Sequence, residues 1–185
     1  GDVYKRQTGL RLAVNNDRRR YLNLPDALNP NLQDDLNRGQ RQTVDWGNRV
    51  QLGDVGALAD AALAFGVTHE RETIDSRSRF GSPTYQSTGA VREGADANAF
   101  HAGLQGRVVE RLDLSVGLRH DKAEDFDSFT SWRAGGVLAV PEWASRLRLS
   151  AGTAFKAPSL DQRFGATSGS FLGFPMQFRG NPDLR

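Results

Sequence analysis

The chain has 185 residues, and its 24 basic and 22 acidic side chains give a net charge of +2 at pH 7. Because it contains no cysteine, its composition excludes a disulfide scaffold, a thiolate nucleophile and a cysteine-ligated zinc site. The arginines are scattered rather than clustered, so nothing indicates a nucleic-acid partner. Mean hydropathy is −0.54, and no apolar run reaches the ~18 residues of a membrane helix. The alternating strands of a membrane barrel also have low average hydropathy, however, so a membrane protein is not excluded.

Alternation of apolar and polar residues, the period of a β-strand, dominates the chain. The clearest case runs from Leu112 to His120, where every second residue is apolar or a ring and the residues between are Asp, Ser, Gly and Arg. The pattern predicts seven strands, over residues 8–18, 42–52, 57–72, 97–109, 112–122, 129–140 and 146–156. Residues 1–7 are interpreted as a non-native, adapter-derived segment, which leaves one predicted domain over 8–185.

The predicted connections alternate in length along the chain. Tight turns are predicted at 53–56, 110–111 and 141–145, and long polar loops at 19–41, at 73–96 and in the tail from 157. Short turns at one end and long loops at the other are typical of an outer-membrane barrel. A soluble β-sandwich also alternates, but its strands usually have about 5–6 residues. The strands here have ten or more, which suits a tilted membrane crossing of about 9–11.

The two faces of the predicted strands differ in a way that suits a barrel wall. No residue of the apolar series between Leu112 and Phe155 is charged, whereas the alternate positions include Asp113, Arg119 and Arg148. An arginine in the lipid-facing series would cost about 2–4 kcal/mol at mid-depth. The predicted topology also gathers rings at one height near the long loops, as in a membrane-interface girdle. The predicted girdle residues are Phe100, His120, Trp132 and Phe155.

Two segments near the end of the chain carry a family resemblance. "SAGTAFKAPSL" (150–160) and "GNPDLR" (180–185) resemble the barrel signature of TonB-dependent outer-membrane receptors, "GTGFKAPSL" followed by "GNPDLKPE". The phrases "TVDWGNRVQLGD", "ALAFGVTHERETID" and "LDLSVGLRHDKAEDFDSFTSWRAGG" resemble strands of the vitamin B12 receptor branch. The family-motif residues are Gly152, Phe155, Lys156, Ala157, Pro158, Ser159, Leu160, Gly180, Asn181, Pro182 and Leu184.

The resemblance implies an all-β fold: an antiparallel transmembrane β-barrel of roughly 22 strands with a plugged lumen, about seven of which this chain supplies. It implies TonB-energised uptake of a scarce, bulky ligand, cobalamin or a ferric siderophore, across the outer membrane of a Gram-negative bacterium. The partners would be outer-membrane lipid, the ligand, and TonB, reached through an N-terminal part that lies outside this sequence. A passive porin-like channel and a soluble β-sandwich binding module are the alternatives.

The sequence predicts no enzyme and no resident cofactor. It contains no G-x-S-x-G, P-loop or G-x-G-x-x-G motif, and no nucleophile has an evident partner.

Two groups in the predicted loops are candidates for binding. Phe171, Phe174 and Phe178 lie in the segment 157–179, where their rings would grip an apolar or corrin-like ligand by face contacts or pack the loop. Asp121, Asp125 and Asp127 form an acidic group that suits Ca²⁺. Their spacing lacks the Gly and terminal Glu of an EF-hand, so a solvated acidic loop is the alternative. Lys156 and Pro158 are interpreted as the end of a strand, since proline lacks the N–H that continues a ladder.

Overall fold

Extended backbone runs through most of the part of the chain that the computed structural model describes, residues 5–124 and 127–184. The strands are β1 (Arg6–Asn23), β2 (Leu32–Val55), β3 (Leu58–Gly81), β4 (Tyr85–Val109), β5 (Leu112–Ala123), β6 (Phe129–Val140), β7 (Ser145–Gly152), β8 (Ala166–Phe171) and β9 (Phe174–Arg179). A 3₁₀ turn (Pro141–Trp143) precedes β7, and a short helix, α1 (Leu160–Phe164), precedes β8. Within the described residues, no helix has the length and apolarity to cross a membrane.

All nine strands belong to one antiparallel sheet, in which β1 to β7 lie side by side in chain order. No second sheet faces it among the described residues. The alternating apolar side chains are therefore exposed rather than buried between layers: Val116 is 55%, Leu118 61% and Leu149 70% exposed. The soluble sandwich alternative is wrong for this architecture. The all-β transmembrane-barrel fold class is confirmed, here as an open arc.

The strand register sorts the side chains onto two faces. One row of directly paired residues crosses six strands and is wholly apolar: Val50, Leu63, Leu104, Val116, Ala134 and Ala151. The neighbouring row on the other face holds Ala62, Gln105, Ser115, Gly135 and Ser150. Most residues that line the hollows of the membrane-level sheet belong to this second, polar face. We therefore call it the concave face, and the apolar side the convex face.

The predicted long loops at 19–41 and 73–96 are wrong, because most of both segments is strand. β1 to β4 have 18, 24, 24 and 25 residues, about twice the length that a membrane crossing needs. Of these two segments, only residues 24–31 and 82–84 lie outside the strands. The extensions are polar on both faces and so show no hydrophobic alternation, but their backbone groups still pair across the ladder.

β7 ends four residues earlier than predicted, at Gly152 rather than Lys156. At this point the Thr153 hydroxyl accepts a hydrogen bond from the Trp132 backbone N–H (3.1 Å). The Thr153 N–H in turn donates to the Trp132 carbonyl (2.9 Å). A side chain thus replaces the next backbone acceptor and ends the ladder, so Pro158 is not the residue that stops the strand.

The tail from residue 157, predicted as a loop, contains α1 and the β8–β9 hairpin. β8 pairs with the upper part of β4, from Tyr85↔Phe171 to Ala90↔Ala166, beyond the point where β5 ends. The hairpin turn has Leu172 and Gly173 at φ 49° and 85°, which corresponds to a type I′ turn and favours glycine at the second position.

Short connections close the opposite end of the sheet, at 56–57, 110–111 and 141–144. Arg111 and Glu142 form an ion pair of 2.6 Å between two of them. Hydrogen bonds from its own backbone N–H and from Arg111 lower the pKa of Glu142.

In the 24–31 loop, at the other end of the sheet, the backbone N–H groups of Asn29 and Leu28 lower the pKa of Asp26 in the same way.

β1 begins at Arg6, inside the segment 1–7 that we predict to be non-native. Arg6 pairs with Val50 of the apolar row, and its guanidinium donates to the Asn48 side-chain oxygen at 3.0 Å. The non-native origin of residues 1–7 stays a prediction.

Replacing Val116 with arginine tests the assignment of the convex face to lipid. Val116→Arg is expected to destabilise the folded barrel in bilayers by about 2–4 kcal/mol, because a charge then meets hydrocarbon at mid-depth. Ser115→Arg, one residue away on the concave face, is the matched control and should have a much smaller effect. Urea titration of the folded, gel-shifted species measures both variants. Equal destabilisation by the two would contradict the assignment.

Candidate functional site

The lower concave face, near the short turns, is polar and rich in charge. A hollow of about 620 Å³ is lined there by Arg49, Arg107, Asp113 and Arg148, among others. Arg107 pairs with Asp113 at 3.0 Å and lies 3.7 Å from Asp60. Charged side chains at these positions suit a surface that meets water or another polar part of a protein, as in a barrel lumen.

In the middle of the concave face, two glycines leave space for the His101 ring and the Arg133 side chain. A Cβ added to Gly66 would lie 2.8 Å from the His101 ring, and one added to Gly117 would lie 3.5 Å from the Arg133 side chain. The His101 Nδ1 is buried and has no hydrogen-bond partner among the described residues. The glycines that the alternation places on this face thus allow larger neighbours to lie flat along it.

The three candidate phenylalanines share one face at the far end of the sheet. Tyr85 pairs with Phe171, and in β8–β9 Phe171 pairs with Phe174, Gly169 with Met176 and Thr167 with Phe178. Because paired residues point to the same side, these side chains lie on the concave face. We define the aromatic patch as Phe80, Tyr85, Phe171, Phe174, Met176 and Phe178.

Most of the aromatic patch is exposed rather than packed. Phe174 is 72% and Phe178 67% exposed, while Phe80 and Tyr85 contact each other with ring centroids 5.7 Å apart. Exposed apolar groups gathered on one concave surface are typical of a binding site. Sequence reasoning missed Phe80 and Tyr85, although the Gly81-Ser82-Pro83 turn signal between them would have placed a hairpin there.

The two sequence motifs meet beside the patch. Ser159 caps α1 in a reciprocal capping box with Gln162, and the buried Arg163 donates to the Pro182 carbonyl at 3.3 Å. Gly180 N–H donates to Gly165 (2.7 Å), and Asn181 N–H to Gln162 (3.2 Å). Sequence reasoning also missed Arg163 and the helix; the Ser-x-x-Gln capping-box spacing was the available signal.

The predicted girdle residues lie at related but unequal heights. Phe100 pairs directly with His120, whereas Trp132 pairs with Leu118, two residues lower. Phe155 stacks on Phe129 with ring centroids 4.7 Å apart. Phe129 pairs with Asp121 on the concave face, so Phe155 lies on that side rather than with the lipid-facing rings. The cause is the departure of the chain from the ladder after Gly152.

The described part of the chain shows no metal-ligand cluster around the acidic candidates. Asp121 pairs with Arg119 at 2.8 Å, and Asp125 lies outside the described residues. No cluster of three metal-ligating side chains occurs in the described ranges, which include Asp127. Calcium in these loops stays a prediction.

The sequence matches the family described as TonB dependent receptor-like, beta-barrel, over residues 2–185. The chain belongs to the TonB-dependent receptor family. Members of this family are outer-membrane receptors and transporters of Gram-negative bacteria, not enzymes. None of the curated proteins and none of the solved structures is significantly similar to the chain.

Because the chain belongs to this barrel family, each face of the sheet can be assigned an environment. The convex face contacts lipid, and the concave face lines the lumen. The aromatic patch, at the end of the long strands, lies on the extracellular side, because the short turns of such barrels are periplasmic.

Gly180→Ala is expected to weaken the packing of the 180–185 motif against α1, which follows the 150–160 motif. The new Cβ would lie 2.7 Å from the backbone C and O atoms of Arg163 and from the Gln162 carbonyl, and overpacking of this kind costs about 1–3 kcal/mol. Trypsin cleavage after Arg163 and Arg179 should therefore become faster while the membrane strands stay protected. Gly9→Ala is the control, because its Cβ would have no neighbour within 4 Å. Unchanged cleavage in Gly180→Ala would contradict the packing role.

Proposed function

We propose that this chain is part of the barrel of an outer-membrane receptor that takes up a scarce, bulky ligand, a cobalamin or a ferric siderophore, with energy passed on by TonB. The observation that carries the proposal is the exposed aromatic patch at the extracellular end of the concave face, directly above a polar lumen wall. A receptor for a dilute ligand needs a high-affinity surface outside the membrane, and large rings supply contact area and face contacts for it.

Between the two ligand classes, we propose the cobalamin type. The support is the resemblance of residues 43–54, 62–75 and 112–136 to strands of the vitamin B12 receptor branch, which falls on β2, β3, β5 and β6. A corrin ring is broad, flat and partly apolar, so it matches a patch of exposed rings with few charges among them. The patch is bordered mainly by serine, threonine and glycine, as in "ATSGSF" of β8.

Binding by the patch is tested with the double variant Phe174→Ala/Phe178→Ala. We expect at least a tenfold rise in the Kd for cyanocobalamin, because truncating a ring at a binding hot spot typically costs about 2 kcal/mol. Gln177→Ala, on the opposite face of the same strand, is the matched control. Equilibrium binding to the receptor in detergent measures both.

The outcomes of that binding experiment separate the two ligand classes. If the double variant loses affinity for a ferric siderophore and the parent does not bind cyanocobalamin, the cobalamin assignment is wrong but the role of the patch stands. Unchanged affinity for every ligand bound by the parent would reject the patch itself.

Energised uptake is tested in cells that express the receptor. Uptake of the radiolabelled ligand should stop when TonB is deleted or a protonophore is added, because a plugged lumen opens only with energy from the inner membrane. A passive porin-like channel, the alternative, would continue to equilibrate the ligand under both conditions. Binding to the cell surface at 4 °C should persist in either case and serves as the control.

A further inference from the structure

Two arginines lie in one transverse row of the concave face. Arg49 of β2 and Arg133 of β6 belong to the same row of directly paired residues, and the three residues between them are small: Ala64, Gly103 and Gly117. A long side chain at any of these three positions would cover the floor between the arginines. The register thus places two guanidinium groups on either side of an open floor.

Both arginine side chains reach the same hollow of the wall. The hollow has a volume of about 100 Å³, and its lining includes both arginines and, from the neighbouring row, Gln105 and Ser115. Arg133 lies along the sheet toward β5, since a Cβ added to Gly117 would be 3.5 Å from the Arg133 Cγ and Nε atoms. A volume of this size holds several water molecules, and therefore also a group such as a phosphate.

The two arginines lack a counter-charge on this part of the face. Neither Arg49 nor Arg133 takes part in an ion pair within the described ranges. The carboxylates that line the adjoining hollow with Arg49 are Asp60 and Asp113, and both lie near Arg107, at 3.7 and 3.0 Å. The smaller hollow therefore has two cations that no carboxylate neutralises.

The lipid-facing side of the same wall strengthens the field in the hollow. Leu104 and Val116, which also border it, are directly paired members of the apolar row of the convex face. A cleft with one sign of charge against a low-dielectric wall concentrates the field and attracts counter-ions. An anion that enters the lumen is expected to collect at this point of the wall.

We propose that Arg49 and Arg133 form an oxyanion site in the lumen wall, which binds a phosphate group. The planar guanidinium donates two parallel hydrogen bonds to phosphate, so two of them can hold one group from both sides. The Gln105 amide and the Ser115 hydroxyl supply further donors. The group can come from the phosphodiester of a corrinoid in transit or from free phosphate, and only this choice of source rests on the proposed function.

Chemical labelling of arginine tests the site in the purified receptor that carries this barrel segment. Phenylglyoxal reacts with free guanidinium groups, and mass spectrometry gives the rate at each arginine in phosphate and in chloride of equal ionic strength. We expect millimolar phosphate to slow the labelling of Arg49 and Arg133 about threefold or more, because bound phosphate occupies their donors. Arg11 and Arg146, exposed on the same face outside the hollow, should react equally in both buffers.

The labelling experiment has three outcomes that would overturn the proposal. Equal slowing at all four arginines would show a general ionic effect. Unchanged labelling of Arg49 and Arg133 would show that phosphate does not bind them. No labelling of these two in either buffer would show that another part of the receptor already occupies the hollow.

The source of the phosphate group is tested by uptake into cells. Cyanocobalamin carries a phosphodiester, whereas cobinamide has the same corrin ring without it. In Arg49→Gln/Arg133→Gln, we expect energised uptake of saturating cyanocobalamin to fall about fivefold or more, because its passage loses charge-assisted hydrogen bonds. Uptake of cobinamide and surface binding of both corrinoids at 4 °C should match the parent.

Arg11→Gln/Arg146→Gln is the matched control for uptake, since it removes two arginines from the same face that also take part in no ion pair within the described residues. An equal loss in this control would assign the effect to the net charge of the lumen and overturn the site. The heat-dependent gel shift confirms that each variant is folded. If the glutamine pair does not fold, the single variants Arg49→Gln and Arg133→Gln replace it, and each should give part of the loss.

The two experiments together separate the site from the proposed function. If phosphate protects the two arginines but both corrinoids enter the glutamine variant as they enter the parent, the site stands and free phosphate is its ligand. An equal loss for cyanocobalamin and cobinamide would likewise exclude the phosphodiester. Parent cells that take up neither corrinoid would contradict the cobalamin assignment, and the labelling result would still decide the site.

Discussion

The need to pair every backbone N–H and C=O group in a medium without water governs this structure. In hydrocarbon, an unpaired backbone group costs several kcal/mol, so a strand can cross only as a member of a continuous ladder. The register from β1 to β7 meets this condition with bulges confined to the short-turn end, near Gln51–Val55, Ala59–Ala62 and Arg107–Val109. The side chains are then free to differ between the two faces, so that one face can contact lipid and the other can line the lumen.

Glycine and alanine have a role in this division that hydropathy does not reveal. On the concave face they leave space for long polar side chains to lie along the sheet, as His101 does over Gly66 and Arg133 over Gly117. Such side chains present polar groups to the lumen without filling it. A channel wall that must also accommodate a globular plug needs both properties at once.

The sequence predicted the membrane-crossing part well and the extracellular part poorly, for one physical reason. In β5 and β6 one face meets lipid, so apolar residues must alternate, and the predicted ranges agree with the structure to within one residue. Beyond the membrane both faces meet water, and the upper parts of β1 to β4 therefore resemble loops in composition. Among the candidate residues, Phe171, Phe174 and Phe178 come together on one face only because β8 pairs with β4. Nothing local in the sequence specifies that long-range pairing.

The edge of β4 has two different partners along its length. It pairs with β8 at residues 85–90 and with β5 at residues 97–109, so the barrel wall divides into an extracellular branch and a membrane branch that share one strand. Six residue pairs join β8 to this edge. Separating them would break no hydrogen bond of the membrane ladder. A change in the sequence of the hairpin that presents the rings would therefore leave the backbone pairing of the bilayer-spanning wall intact.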